Sequence, residues 1–152
     1  MAAATARPRA LRPTGDRARV VRDGAVAGAL AGTVSGLPST LWELASGGDP
    51  LAATIAAGSL LLPRETRRTR LLAAAVPVHA AVSIGWGIAL AHVLPRRRTV
   101  AAGAVAGLAI AALDLGVVGR RFRGIRSLPV GPQLADHAAY GATVGWVLTR
   151  RR

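Results

Sequence analysis

All twenty basic residues of this 152-residue chain are arginines, and they fall into five short clusters. Long stretches of Ala, Gly, Val and Leu separate the clusters, which are residues 7–22, 64–70, 96–98, 120–126 and 150–152. An uncharged apolar helix of about 20 residues can cross a hydrocarbon core of about 30 Å. Arginines in the flanking loops set the orientation of such helices. The pattern predicts an all-α integral membrane helical bundle with a cytoplasmic N-terminus.

The net charge of +13 raises nucleic acid as a partner, because clustered arginines neutralise phosphates. The position of the clusters favours the lipid bilayer instead, since each one flanks an apolar segment. Phe122 is the only aromatic residue within a cluster that could stack on a base. We therefore expect anionic lipid headgroups at the arginines and no nucleic acid. Arginine without lysine, beside abundant Ala and Gly, indicates a GC-rich coding sequence and a multi-pass protein of a bacterial plasma membrane, such as that of an actinobacterium.

Composition divides the chain into three parts. Residues 1–23 carry six arginines and two prolines and predict a basic, disordered cytoplasmic arm. Residues 24–149 form a single transmembrane helical domain, and residues 150–152 form a basic tail. A secretory signal is the alternative for the first apolar run, but the arm is long and no small-residue cleavage site follows it.

Four apolar segments have the length of a full transmembrane helix: 24–45, 71–94, 99–119 and 129–149. A fifth segment, 51–62, is short for a span. Asp49 is expected as its N-cap, Pro50 as its first helical residue and Pro63 as its end. The positive-inside rule favours a crossing helix, whereas its length favours a re-entrant one. Both alternatives stay open, and with them the side of the C-terminus.

Glycines recur at every fourth position of several segments. This spacing places them on one helix face, where the absence of side chains lets two backbones approach closely. We expect such faces to pack helices within the chain, in a homo-oligomer or against another membrane protein. The predicted packing positions are Gly24, Gly28, Gly32, Gly36, Gly103, Gly107, Gly141 and Gly145. Pro38 predicts a kink directly after the first stripe.

Few ionisable side chains interrupt the apolar segments. An ionised Asp at the centre of a membrane helix costs about 2.5–3.5 kcal/mol, so such groups face protein or water and seek partners. One interpretation is that they hydrogen-bond across helices and specify packing. The other is a proton- or ion-linked site that joins Asp114 to His79 or His137. The candidate polar residues are Asp114, His79, His137, Asp136 and Tyr140, with Glu43 near an interface.

The sequence predicts no catalytic residue, metal or cofactor. Cysteine is absent, the histidines are widely spaced, and no HExxH, GxGxxG or GxxxxGK[ST] motif occurs. The run Thr33-Val34-Ser35-Gly36, together with His137, Gly141 and Gly145, resembles the serine and histidine helices of rhomboid intramembrane proteases. Thr33 stands where that family has a glycine, and the family's six-helix core does not fit the segments of this chain. We therefore do not expect an enzyme.

A second resemblance covers most of residues 24–149. The runs at 36–40 (GLPST), 49–53 (DPLAA), 111–116 (AALDLG) and 133–141 (QLADHAAYG) are similar to those of small uncharacterised actinobacterial polytopic membrane proteins. The resemblance implies a polytopic membrane protein and no particular activity. The expected function is structural or partner-binding through the glycine faces. The alternative is a proton- or ion-linked transporter or channel component that uses an intramembrane Asp/His pair.

Overall fold

The computed structural model describes residues 13–152, and this part of the chain is helical with no strand. The elements in chain order are α1 (Pro13–Val34), α2 (Leu37–Ser46), α3 (Ala52–Leu61), α4 (Arg68–Val93), α5 (Thr99–Leu113), a π-helical turn (Asp114–Val118), α6 (Gly119–Arg121), α7 (Arg123–Arg126) and α8 (Val130–Arg151). The all-α class predicted from the sequence is confirmed.

Two of the four predicted spans meet the length and composition expected of a transmembrane helix, namely Arg68–Val93 and Thr99–Arg121. The first predicted span is divided between α1 and α2, so neither piece is both long and apolar. Helix α8 has the length, but Asp136, His137 and its final arginines lower its hydropathy. Helices therefore occupy all four segments, whereas a bundle of four full spans is not confirmed.

Helix α1 begins at Pro13, so residues 13–23 are helical although the sequence predicts a disordered arm there. Residues 1–12 of that predicted arm lie outside the described residues. A tertiary contact accounts for the order: the side chain of Asp23 is 7% exposed and accepts a hydrogen bond from Arg151 Nε at 2.9 Å. The last turn of α8 thus holds the basic end of α1 against the bundle.

The kink predicted near Pro38 is a complete break in the helix. Helix α1 ends at Val34 and α2 begins at Leu37, with Pro38 in its first turn. Proline is tolerated there because its missing N–H would have no helical partner. Gly36 was expected to pack against another helix with the rest of the stripe, and this expectation is wrong. Gly36 is the N-cap of α2, and a Cβ added to it would meet no atom within 4 Å. The break carries this residue away from the face that α4 covers.

The remaining glycines of α1 bring its backbone against α4, which runs in the opposite direction. A Cβ added at Gly24 would lie 2.7 Å from Ile88 Cα, and one at Gly28 would overlap the carbonyl oxygen of Ser83. Gly32 meets the Ser83 side chain, and a Cβ at Gly87 of α4 would lie 2.5 Å from the carbonyl oxygen of Gly24. Any larger residue at these positions would push the two helices apart.

Helices α5 and α8 approach through glycines of their own. Gly103 and Gly141 face each other, and a Cβ at either would overlap the other's carbonyl oxygen. Gly107 faces the carbonyl of His137, and a Cβ at Gly145 would lie 2.5 Å from the carbonyl oxygen of Thr99. The predicted packing glycines other than Gly36 therefore contact another helix of the same chain.

Helix α3 enters and leaves at one end of the bundle. Arg68, the first residue of α4, pairs with Asp49, which precedes α3. This hydrogen bond from Arg68, followed by one from the Leu51 N–H, lowers the pKa of the Asp49 carboxyl below its ordinary value. Gly58 of α3 packs on the Leu71 carbonyl in the first turn of α4. The two ends of α3 therefore lie near the start of α4.

The start of α3 differs from the prediction, which made Asp49 the N-cap and Pro50 the first helical residue. The Asp49 carboxylate accepts the N–H of Leu51 at 3.0 Å, and its carbonyl accepts the N–H of Ala52 at 2.9 Å. These bonds close a turn over residues 49–52, so the helix begins only at Ala52. It ends at Leu61, ahead of Pro63 as the sequence predicts.

Arginines lie at both ends of the bundle. At one end, Arg152 donates to the carbonyls of Leu94 (3.0 Å) and Ala91 (2.6 Å), which brings the ends of α4 and α8 and the start of α1 together. We call it the terminal end; its arginines are Arg17, Arg19, Arg22, Arg96, Arg97, Arg98, Arg150, Arg151 and Arg152. The opposite end, called the loop end, holds Arg64, Arg67, Arg68, Arg70, Arg120, Arg121, Arg123 and Arg126.

Candidate functional site

Asp114 and His137 come from different helices and form a close polar pair. His137 Nε2 lies 3.1 Å from Asp114 Oδ2. The other ring nitrogen, Nδ1, lies 2.7 Å from the carbonyl oxygen of Gln133, one turn earlier in α8. Because a carbonyl can only accept, Nδ1 carries a hydrogen. The bond to Asp114 then needs a second hydrogen, either on Nε2 or on the carboxyl group.

A hydrogen bond between these two groups requires one proton between the imidazole and the carboxyl group. Without it, two acceptors would face each other at 3.1 Å. With it, the pair is either imidazolium and carboxylate or imidazole and carboxylic acid, and both forms have no net charge. This avoids an uncompensated charge among apolar helices. The side chains of His137 and Asp114 are 20% and 30% exposed, so a proton can reach the pair from outside the core.

The backbone changes its winding at Asp114. A π-helical turn runs from Asp114 to Val118, and the N–H of Gly119 bonds to the carbonyl of Asp114, five residues back. Such turns are rare, occur mostly as single insertions and are frequent at functional sites. The turn adds one residue to the helix at the point where the acidic side chain meets α8.

Two further candidates hold the break between α1 and α2. His79 of α4 places Nε2 2.7 Å from the carbonyl oxygen of Gly32, near the end of α1. Asp136 of α8 accepts the N–H of Ser39, in the first turn of α2, at 2.8 Å. A helix has free carbonyls and partial negative charge at its C-terminus, and free N–H groups and partial positive charge at its N-terminus. The His79 imidazole therefore donates to a carbonyl at the C-terminal end of α1, and the Asp136 carboxylate accepts from an N–H at the N-terminal end of α2.

Tyr140 joins α8 to α4. Its hydroxyl donates to the carbonyl oxygen of Ser83 at 2.5 Å, and the residue is 7% exposed. The same carbonyl faces Gly28, so α1, α4 and α8 meet at Ser83. The ring packs in the core beside Val144 and Ala31. Tyr140 thus satisfies its hydroxyl while it fills the space among three helices.

Two of the candidate residues predicted from the sequence, His79 and Asp136, contact the α1–α2 break. Asp136 contacts one side of the break, His79 contacts the other, and His137 follows Asp136 directly in α8. Of the two pairings expected for Asp114, the structure forms the one with His137 and places His79 on a backbone carbonyl instead. Glu43 lies apart from this cluster, with its carboxylate against Gly48.

Sequence reasoning missed the backbone partners of the site. The carbonyls of Gly32 and Gln133 and the N–H of Ser39 take part in three of the four hydrogen bonds made by the candidate His and Asp side chains. The sequence carried a signal for the partners Gly32 and Ser39, because a helix break at Pro38 leaves nearby backbone groups without helical partners. The π-helical turn has no comparable signal in the residue pattern.

The serine and histidine of the rhomboid-like pattern do not form a dyad. Both ring nitrogens of His137 are engaged, one by Gln133 and one by Asp114, so neither is directed at Ser35. Within residues 13–152, no group of three or more His, Asp or Glu side chains is arranged to hold a metal ion.

Comparison of the chain with protein-family models, curated proteins and solved structures finds no match.

Proposed function

We propose that the protein is a polytopic membrane protein in which α1–α2, α4, α5–α6 and α8 cross the bilayer and α3 is re-entrant. The most apolar windows of Arg68–Val93 and Thr99–Arg121 are only 28% and 22% buried within the protein. A core helix of a soluble protein would be mostly covered. Large apolar side chains point outward instead, with Val93 72%, Val76 69% and Val105 67% exposed. A surface of this kind fits hydrocarbon rather than water.

The composition of α8 is compatible with a crossing helix because its polar residues point inward. Gln133 and Tyr140 are 8% and 7% exposed, and Asp136 and His137 bond to other parts of the protein. Trp146 is 53% exposed, and the Arg150 guanidinium lies 5.4 Å from its ring centre. Exposed tryptophan beside arginine is typical of the membrane–water interface.

We further propose that the terminal end faces the cytoplasm. It carries nine arginines in the described residues, and the chain before residue 13 adds three, against eight at the loop end. Reporters placed after Arg152 and within residues 64–70 test this orientation. We expect the first to report the cytoplasm and the second the outside. An outside reporter after Arg152 with a cytoplasmic reporter within residues 64–70 would contradict the orientation. Two reporters on the same side would contradict it as well.

We propose that this bundle is a proton-linked component of a membrane transport or channel system. The observation that carries the proposal is the Asp114–His137 pair, in which two titratable side chains from different helices lie 3.1 Å apart. Beside it, a discontinuous helix presents its ends to His79 and Asp136. Transporters bind substrates and coupling ions at broken helices of this kind. Ionisable residues within membrane segments serve such functions by default.

The test is proton flux in proteoliposomes that contain a trapped pH-sensitive dye and an imposed pH gradient. We expect Asp114→Asn and His137→Gln to abolish the flux of the intact protein. Asp16→Asn is the matched control, because it removes an exposed carboxylate of α1 and should preserve the flux. Unchanged flux in Asp114→Asn, or no flux above empty liposomes in the unaltered protein, would overturn the proposal.

A structural or partner-binding function is the second candidate, and it uses a different surface from the one expected. The predicted glycine faces are occupied by helices of the same chain, so they are not available to a partner. Helix α4 instead exposes small residues at every fourth position: Ala73, Pro77, Ala81, Gly85 and Ala89. Gly85→Leu should abolish self-association in detergent while Asp114→Asn leaves it intact. The transport proposal requires that Asp114→Asn abolishes proton flux and that Gly85→Leu preserves it.

A further inference from the structure

The loop end contains a groove that is separate from the polar pair. It has a volume of about 330 Å³ and lies between α3, α7 and the start of α4. Most of its lining is apolar, with Ile55, Ala56, Leu71 and Leu128 among the residues, and the hydroxyls of Ser59 and Ser127 add polar points. The groove is open to the outside, so a chain-like apolar molecule can enter it without unfolding the bundle.

The charged residue of the lining is Asp49, which is paired with Arg68, and two arginines directly precede the lining residues Gly124 and Ser127 in the chain. Helix α7 places Arg123 and Arg126 on either side of Gly124, which lines the groove, and both arginines are exposed. Among residues 15–152, the salt bridges at the loop end pair only Arg68 with Asp49 and Arg70 with Glu65. The other six loop-end arginines, including Arg123 and Arg126, therefore have no carboxylate partner in this part of the chain.

We propose that the groove is a binding site for one anionic phospholipid. An acyl chain occupies the apolar surface between α3 and α7, and Arg123 and Arg126 bind the phosphate. Arginine suits this purpose because its planar guanidinium donates two parallel hydrogen bonds to phosphate oxygens. Charge complementarity selects an anionic lipid over a zwitterionic one, whose amine would add a further positive charge beside Arg123 and Arg126.

The proposal explains why a re-entrant helix stands beside a short arginine-bearing helix. Gly124 lets α7 approach α3 closely, since an added Cβ would lie 3.3 Å from Ser59 Oγ and 3.5 Å from Ala56 Cα. This contact closes one side of the groove. A lipid bound there would link α3 and α7, which the chain itself joins only through this contact surface.

The lipid site rests on the proposed membrane location. The experiment therefore tests membrane insertion and lipid binding separately. The full chain is reconstituted in vesicles of phosphatidylcholine that contain a small amount of a photoactivatable lipid. In one sample this lipid is phosphatidylglycerol, and in the other it is phosphatidylcholine with the same photoactivatable acyl chain. After alkaline carbonate extraction establishes insertion, the labelled peptides are identified by mass spectrometry. We expect phosphatidylglycerol to label residues 52–59 and 124–128 at least tenfold more than phosphatidylcholine does.

The variant Arg123→Gln/Arg126→Gln should reduce this preference to the level of phosphatidylcholine. Arg96→Gln/Arg97→Gln at the terminal end is the matched control and should leave it unchanged. Equal labelling by both lipids, or a preference that survives in Arg123→Gln/Arg126→Gln, would overturn the lipid site while the membrane location stands. Release of the protein by carbonate would overturn the membrane location first, and with it the site.

Discussion

Asp136 and Ser39 are 97 positions apart in the sequence, and the carboxylate of Asp136 accepts the backbone N–H of Ser39 at 2.8 Å. The bond caps the start of α2 with a side chain from α8, since no side chain of α2 itself caps that end. A helix break in the interior of the bundle leaves N–H groups without partners, and a buried unpaired donor costs free energy. Asp136 removes this cost at the point where α1 ends and α2 begins.

Substitution of Asp136 tests the cap. We expect Asp136→Ala to lower the free energy of unfolding by about 0.5–2 kcal/mol, the usual effect of losing a helix cap. Asp136→Asn should lose less, because its amide oxygen still accepts the Ser39 N–H. The measurement is unfolding in mixed detergent micelles followed by circular dichroism. Asp16→Ala, which removes an exposed carboxylate from α1, serves as control, and an equal loss there would argue against a specific cap.

A double-mutant cycle tests the interaction between Asp114 and His137. Polar pairs between membrane helices contribute about 0.6 kcal/mol on average and up to about 1.7 kcal/mol. We expect a coupling energy in this range between Asp114→Asn and His137→Gln, measured from the unfolding of the single and double variants. Strictly additive effects would mean that the two side chains do not interact in the folded protein.

The glycine contacts predict a sharp difference between glycines that pack on a neighbouring helix and Gly36, which does not. Gly28→Ala and Gly107→Ala each place a methyl group into a backbone carbonyl of the neighbouring helix. Such overpacking costs about 1–3 kcal/mol of folding free energy. Gly36→Ala meets no atom within 4 Å and should change stability little. Thermal unfolding in detergent separates these variants, and a loss in Gly36→Ala as large as in Gly28→Ala would contradict the helix break.

The ion pair between Arg68 and Asp49, beside α3, predicts a pH dependence. The hydrogen bond from Arg68 lowers the pKa of the Asp49 carboxyl in the folded state. A lowered pKa means that the pair stabilises the fold above the ordinary Asp pKa of 3.8, and this contribution is lost as pH falls through the folded value.

Carbon-13 NMR of selectively labelled aspartate measures this titration directly. In the unaltered protein the Asp49 resonance should titrate below the ordinary value, and in Arg68→Gln its pKa should rise towards 3.8. Arg67→Gln, one residue earlier, is the matched control and should leave the Asp49 titration unchanged. An Asp49 pKa that does not respond to Arg68→Gln would show that the pair does not form in solution.

Several features of the fold could be predicted because they depend on residues close together in sequence. The apolar segments and their arginine borders fix where helices α4, α5 and α8 lie, and Pro38 fixes where the first one breaks. The four-residue spacing of Gly103 and Gly107 identifies a face that packs closely. Residues 13–23, for which the sequence predicts a disordered arm, belong to helix α1, and Asp23 at the end of this segment contacts Arg151, which is distant in the sequence.

The sequence by itself determined which residues are polar within apolar helices, and therefore that Asp114, Asp136, His79 and His137 need partners. Only the tertiary structure decided which groups are the partners of these side chains. Asp114 meets His137 because Gly107 lets α5 approach the backbone of α8, whereas His79 and Asp136 meet the two ends of a broken helix. The physical reason is that desolvation acts on each polar group locally, while the choice of partner depends on how the glycine faces align helices that are distant in the chain.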